Sequence, residues 1–173
     1  MKLLSTLKIF FFGCMLLFIF SFATCKYSTK DTSPIPQDVK TFRVNYLENK
    51  AHYVNPQLSP TLTERLRQKI VGQTRLRQIN GDEAHYDISG YISDYSVSTT
   101  GISGQNAGTN RLNVSFHLIF KNTLDQTKDF EIDLTNNYDF SAQLSLQQAE
   151  SQLSNAVIKN LVDGIFNKIF SNW

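Results

Sequence analysis

Residues 111–120 read RLNVSFHLIF, and residues 130–135 read FEIDLT. Apart from Ile119, an apolar side chain alternates with a polar one along both stretches. Successive side chains of a strand point to opposite faces, so the pattern predicts two strands that each have one apolar and one polar face. Residues 122–128 between them, which are polar except for Leu124, predict a turn and therefore an antiparallel hairpin.

The same alternation extends upstream of the hairpin. It runs through Tyr86, Ile88 and Ile92, and it then moves by one position to Tyr95 and Val97. This shift predicts a long strand with a bulge near residues 93–94. Shorter strands are predicted over residues 41–46 and 74–79, and a glycine-rich loop over residues 101–110.

Two segments have helical periodicity. The first helix is predicted from Pro60 to Gly72, with Ser59 or Thr61 as its cap. The second runs from a capping box of Ser145 and Gln148 almost to the last residue. The predicted fold is α+β, a two-layer sandwich with two helices packed on one face of a mixed four-stranded sheet.

The apolar stripe of the second helix widens near its end. Its late members, Val162, Phe166 and Phe170, extend the stripe beyond one helix face. We interpret this width as a contact on a second side, for example with a partner protein.

The N-terminal residues have the pattern of an export signal. Lys2 and Lys8 precede an apolar run over residues 9–22. This run is short for a membrane span. We predict a lipoprotein-type signal peptide over residues 1–24, a lipidated N-terminus and tether over 25–38, and one domain over 39–173. The two lysines account for the net charge of +2, so charge gives no argument for nucleic-acid binding.

Cys25 is the candidate lipid-attachment residue. Residues 22–25, FATC, resemble the bacterial lipobox, and the other cysteine, Cys14, lies inside the predicted signal. Two or three acyl chains on Cys25 would anchor the protein to a membrane. The alternative is an unmodified thiol left by ordinary cleavage.

The sequence lacks the patterns of common catalytic and cofactor sites. It has no Gly-x-Ser-x-Gly elbow and no phosphate loop, and its histidines do not have metal-ligand spacing. Residues 82–87, DEAHYD, are the nearest metal candidate and are also typical of a solvated turn. His117, at an outward strand position, is interpreted as a surface residue. We therefore predict no enzyme, no metal and no cofactor.

One basic group has a candidate role in phosphate binding. Five cations lie close together in the sequence: Arg65, Arg67, Lys69, Arg75 and Arg77. Arginine forks match phosphate oxygens, and we select Lys69, Arg75 and Arg77 as the candidate ligands of lipid phosphates. The alternative is an ordinary solvated helix face with edge-strand charges that discourage sheet pairing.

The chain resembles the LptE family of lipopolysaccharide-assembly lipoproteins of Bacteroidetes type. Four segments carry the resemblance: IPQDVKTF at 35–42, VNPQLS at 54–59, QTRL at 73–76 and IFNKIFSNW at 165–173. It implies two helices on a four-stranded sheet and no enzymatic activity.

The resemblance also implies partners and a location. The protein would plug the LptD β-barrel, help it assemble, and assist delivery of lipopolysaccharide to the outer leaflet. It would lie on the periplasmic side of the outer membrane, held by the acyl chains on Cys25. The alternative function is a stand-alone periplasmic ligand-binding or adaptor lipoprotein, which would not co-purify with an outer-membrane barrel.

Overall fold

The computed structural model of the protein describes residues 35–101 and 108–171. The predicted signal peptide, Cys25 and most of the tether lie outside the described residues, as does the centre of the glycine-rich loop. The described part contains six strands, two α-helices and a short 3-10 turn at Gln126–Lys128. In chain order, the strands and helices are β1 (Thr41–Val44), β2 (Glu48–Asn49), α1 (Leu58–Gln73), β3 (Arg77–Gln78), β4 (Tyr86–Gly101), β5 (Thr109–Asn122), β6 (Phe130–Ser141) and α2 (Leu146–Phe170).

The strands form one mixed sheet in the order β3-β1-β4-β5-β6, and β2 pairs with β4 further along that strand. β1 is parallel to β3 and β4, and β2 is parallel to β4, whereas β5 is antiparallel to both β4 and β6. The α+β class is confirmed, but the prediction of four strands was wrong. β2 has two residues, pairs with β4, and is too short to leave a periodic pattern in the sequence. β3 also has two residues and lies within the predicted strand over residues 74–79.

The long hairpin and the bulge are confirmed. Phe116 of β5 pairs with Leu134 of β6, and the register between β4 and β5 shifts between Ile92 and Asp94. The extra residue returns Tyr95 to the buried side of the sheet.

Gly90 lies just before this bulge. Its φ is +156°, and a Cβ atom there would be 2.3 Å from the backbone oxygen of His117. Only glycine fits this close approach of β4 to β5.

The sequence predicted the start of α2 correctly, but it placed the start of α1 two residues too late. The Ser145 and Gln148 capping box of α2 is confirmed. α1 begins at Leu58 rather than Pro60, and its N-cap residue, Gln57, makes no side-chain cap hydrogen bond. Ser59 is already inside the helix, where its backbone oxygen accepts a hydrogen bond from the Thr63 hydroxyl.

The apolar faces of both helices and one face of the sheet form a single buried cluster. Val162, Phe166 and Phe170 belong to it, so the partner contact that we predicted for them was wrong. The widened stripe of α2 packs within the domain: the Phe170 ring lies 6.2 Å from the Tyr86 ring of β4, and the Lys69 ammonium of α1 lies 4.9 Å from the Phe166 ring centroid. A helix buried on two sides needs a wide apolar arc.

Candidate functional site

The face of the sheet that turns away from the helices is polar, and we call it the open face. Its side chains alternate along β4, β5 and β6 with the buried ones. Its polar members include Asp87, Ser89, Tyr91, Arg111, Asn113, Ser115, His117, Glu131, Asp133, Thr135, Asn137 and Asp139.

Polar groups on the open face pair with one another across the strands. The Arg111 guanidinium donates to both carboxylate oxygens of Asp139, at 2.6 and 3.0 Å, and this lowers the pKa of Asp139. The Ser115 and Thr135 hydroxyls lie 2.9 Å apart. Such pairs satisfy the charges of the surface without a ligand.

His117 lies at the centre of the open face. Its Nδ1 is 2.7 Å from a carboxylate oxygen of Asp133, and its Nε2 is 3.4 Å from one of Glu131. Its ring centroid is 5.1 Å from that of Tyr91, over which the Lys50 ammonium lies at 4.4 Å. The hydrogen bond to Asp133, and then that to Glu131, raises the pKa of His117.

The interpretation of His117 as a simple surface residue missed this cluster. Its partners are 14 and 16 residues away in sequence, and only the β5–β6 register brings them opposite the imidazole. The alternation of acidic residues along β6 was the one available signal.

In the DEAHYD segment, the carboxylates of Asp82 and Asp87 have partners other than a metal ion. Arg43 of β1 donates to Asp87 at 2.7 Å and also pairs with Asp82, and Asn45 donates to Asp87 at 2.7 Å. His85 Nδ1 accepts the Lys40 backbone N–H at 3.1 Å. Over residues 35–101 and 108–171, no three His, Cys, Asp or Glu side chains are arranged to hold a metal ion.

The three selected cations have different surroundings. Lys69 donates to Asp163 of α2 at 2.5 Å, in a groove between the two helices. Arg75 donates to the backbone oxygens of Ile35 and Pro36, at 2.8 and 2.7 Å. Arg77 is exposed on β3, at one edge of the sheet. Lys69 therefore contacts a different part of the fold from Arg75 and Arg77.

None of the helices within the described residues has the length and hydropathy needed to cross a bilayer.

Most of the chain matches the model of one protein family. The family model for LptE, described as lipopolysaccharide-assembly, matches residues 39–169. The chain belongs to the LptE family. Membership in this family makes it, in general terms, a lipopolysaccharide-assembly lipoprotein. The family membership also fits a protein without enzymatic activity. No curated protein matches the chain by sequence.

Solved structures share the fold at low sequence identity. A minor lipoprotein from Acinetobacter baumannii has a TM-score of 0.51 and 17% identity, over 76% of this chain and 92% of that chain. An uncharacterized lipoprotein B from Nitrosomonas europaea has a TM-score of 0.51 and 15% identity, over 78% and 88% of the two chains. At these identities, the likeness of this LptE-family chain to them extends to the fold alone.

The His117 cluster predicts a pH dependence of stability. Because the pKa of His117 is raised in the folded state, its contribution is complete below its ordinary value of about 6.5 and is lost as the pH rises through the folded-state pKa. The Tm, measured by circular dichroism between about pH 5 and pH 9, should fall more steeply in the wild type than in His117→Gln. The exposed His52→Gln is the control and should retain the wild-type slope; equal slopes for all three proteins would contradict the assignment.

Proposed function

We propose that this LptE-family chain plugs the LptD β-barrel, helps that barrel assemble, and assists lipopolysaccharide delivery to the outer leaflet. The observation that carries the proposal is the open face, a wide polar surface on a sheet whose other side is buried. The lumen of a transporter barrel is polar and water-lined, and a plug needs a surface of matching character.

The pairing of charges on the open face supports this role. A buried charge without a partner costs several kcal/mol, so a surface that enters a lumen is favoured when its charges are already compensated. Arg111 is paired with Asp139, His117 with Asp133, and Arg43 with Asp87. The wall of a barrel could therefore approach this face without leaving these charged side chains buried and unpaired.

A lipid anchor at Cys25 completes the proposed arrangement. Residues 1–24 would be removed as a signal peptide, residues 25–38 would form the lipidated N-terminus and tether, and the domain would span 39–173. The nine residues between Cys25 and Ile35, which make ten Cα–Cα steps, reach at most about 35 Å when extended. That length allows a domain anchored in the inner leaflet of the outer membrane to enter a barrel from the periplasmic side.

The phosphates of lipopolysaccharide are the proposed ligands of Lys69, Arg75 and Arg77. Arg77 is exposed on the edge strand, and Arg75 lies two residues before it and is held by the oxygens of Ile35 and Pro36. Guanidinium groups bind phosphate through paired N–H donors. Lys69 would act separately, from the groove between the helices.

A stand-alone ligand-binding lipoprotein is the second candidate, and one observation favours it. The groove between α1 and α2 has a volume of about 630 Å³. This lies within the range of about 300–1,000 Å³ that is usual for small-molecule sites. A purified monomer with a bound small molecule, and no barrel, would favour this candidate.

Co-purification from native membranes tests the plug and the anchor together. Wild-type protein should carry metabolically incorporated fatty acid and retain LptD in a stoichiometric complex. Cys25→Ser should lose the fatty acid yet retain LptD, since the proposed barrel contacts belong to the folded domain. Labelled Cys25→Ser would contradict lipidation at this residue, and a wild-type preparation without an outer-membrane barrel would contradict the plug.

Charge reversal tests the arginine pair. Arg75→Glu combined with Arg77→Glu should weaken binding of purified lipopolysaccharide by about tenfold or more, because a hydrogen bond to a charged group contributes about 1.5–3 kcal/mol. Binding is measured by surface plasmon resonance and the Tm by circular dichroism. Lys128→Glu, in the turn between β5 and β6, is the matched control and should bind as the wild type does. Unchanged affinity in the double variant would dismiss the pair.

A further inference from the structure

The two edges of the sheet differ in how they are protected against pairing with another chain. At one edge lies β3, which has two residues and carries the exposed Arg77. Short strands, charged side chains, prolines and bulges all discourage such pairing. At the other edge lies β6, which has 12 residues and contains no proline, lysine or arginine. It also pairs with β5 from Phe130 to Ser141 without a bulge.

We call the side of β6 that faces away from β5 the free edge. Within residues 35–101 and 108–171, no strand pairs with it. Backbone N–H and C=O groups at such an edge point outward in alternation and can form hydrogen bonds with an added strand. The free edge is therefore a template for strand addition.

The hydrophobic core is incompletely covered along the first half of β6. Three of its apolar side chains are only partly buried, although the β5 side chains paired with them are at most 2% exposed. The pairs are Phe130 with Phe120, Ile132 with Leu118, and Leu134 with Phe116. Further along β6, Tyr138 and Phe140 are buried. Apolar side chains of an added strand would thus find contact beside residues 130–136.

The open-face side chains of the same part of β6 are acidic. Glu131 and Asp133 are 62% and 68% exposed, and they share the imidazole of His117. Even when protonated, one imidazole cannot neutralise both carboxylates, so negative charge remains beside the free edge. Opposite charges on neighbouring strands attract, and like charges repel. An added strand is therefore favoured when its basic side chains face Glu131 and Asp133.

The same charges disfavour a second copy of this chain as the occupant. β6 has no basic residue to place opposite Glu131 and Asp133. Beside another β6, each carboxylate would face a neutral side chain or a further carboxylate, which gives no attraction or repulsion.

We propose that the free edge of β6, at residues 130–136, binds an extended segment of another protein in which basic side chains alternate with apolar ones. The backbone of the segment adds a strand to the sheet. Its basic side chains face Glu131 and Asp133, and its apolar side chains cover Ile132 and Leu134. The inference goes beyond the proposed function, because it concerns the edge of the sheet rather than the open face and does not require LptD.

Isothermal titration of the full chain in nonionic detergent tests the chemistry of the segment. The probes are capped peptides of about seven residues, within the usual length of a strand. Lysine alternates with valine in the first peptide, and glutamate replaces every lysine in the second. The lysine peptide should bind about tenfold more tightly, because attractive cross-strand pairs replace repulsive ones. Equal affinities would overturn the proposal.

A third peptide tests the alternation itself. It has the same lysines and valines in two separate blocks, so its charge and composition are those of the first peptide. It should bind more weakly, because it cannot place its charges on one face of a strand and its valines on the other. Affinity equal to that of the alternating peptide would overturn strand addition and leave only attraction between opposite charges.

Charge reversal tests the location. Glu131→Lys combined with Asp133→Lys should reverse the preference, so that the glutamate peptide binds more tightly than the lysine peptide. Glu48→Lys combined with Glu64→Lys, on β2 and α1, is the matched control and should keep the wild-type preference. The Tm, measured by circular dichroism, shows whether each variant is folded. A wild-type preference in the folded Glu131 and Asp133 variant would overturn the site.

Hydrogen exchange of the wild type tests the strand pairing without any substitution. The bound lysine peptide should slow amide exchange in residues 130–136 and leave exchange in α1 unchanged, because an added strand bonds the outward N–H groups of β6. Unchanged exchange at saturating peptide would overturn the proposal. Slow exchange there without peptide, in a protein that sediments as a dimer, would identify a second copy as the occupant and would also overturn it. No LptD is present, so these results are independent of whether the barrel complex forms.

Discussion

One face of the mixed sheet packs against two helices, and the rest of the structure depends on that burial. Strands β4, β5 and β6 are 12–16 residues long, and the more buried side chains recur at every second residue along β5 and β6. A fully buried leucine or phenylalanine contributes about 1.5–3 kcal/mol, so a slip of one residue would expose the core side chains of a strand and bury its polar ones. Gly90 and the bulge after Ile92 let β4 follow β5 closely while keeping Tyr95 on the buried side.

Burial on one side defines two surfaces with different chemistry. The open face is polar and internally paired, with His117 between Asp133 and Glu131. The exposed side of the helix pair has a groove in which Asp163 holds Lys69 and Lys159 in place. In the proposed function, the compensated open face is the surface that a barrel would approach. The buried core lies between it and the groove.

Features fixed by local sequence were predictable. The β5–β6 hairpin follows from alternation around one turn, the bulge from a shift in parity, and the α2 cap from residues three positions apart. Features that depend on distant pairing were not. The ion pair between Lys69 and Asp163 joins residues 94 apart, and the His117 cluster needs the strand register. The end of α2 was interpreted as a partner surface because its apolar width cannot reveal that α1 and the sheet cover it.

The proposed plug role requires that LptD enclose the open face. The direct measurement is site-specific photocrosslinking in growing cells, with the photoreactive amino acid at Thr135 on the open face or at Gln152 on the exposed side of α2. The account predicts a crosslink to LptD from Thr135. Crosslinks to LptD from Gln152 alone, or to no barrel from either position, would contradict it.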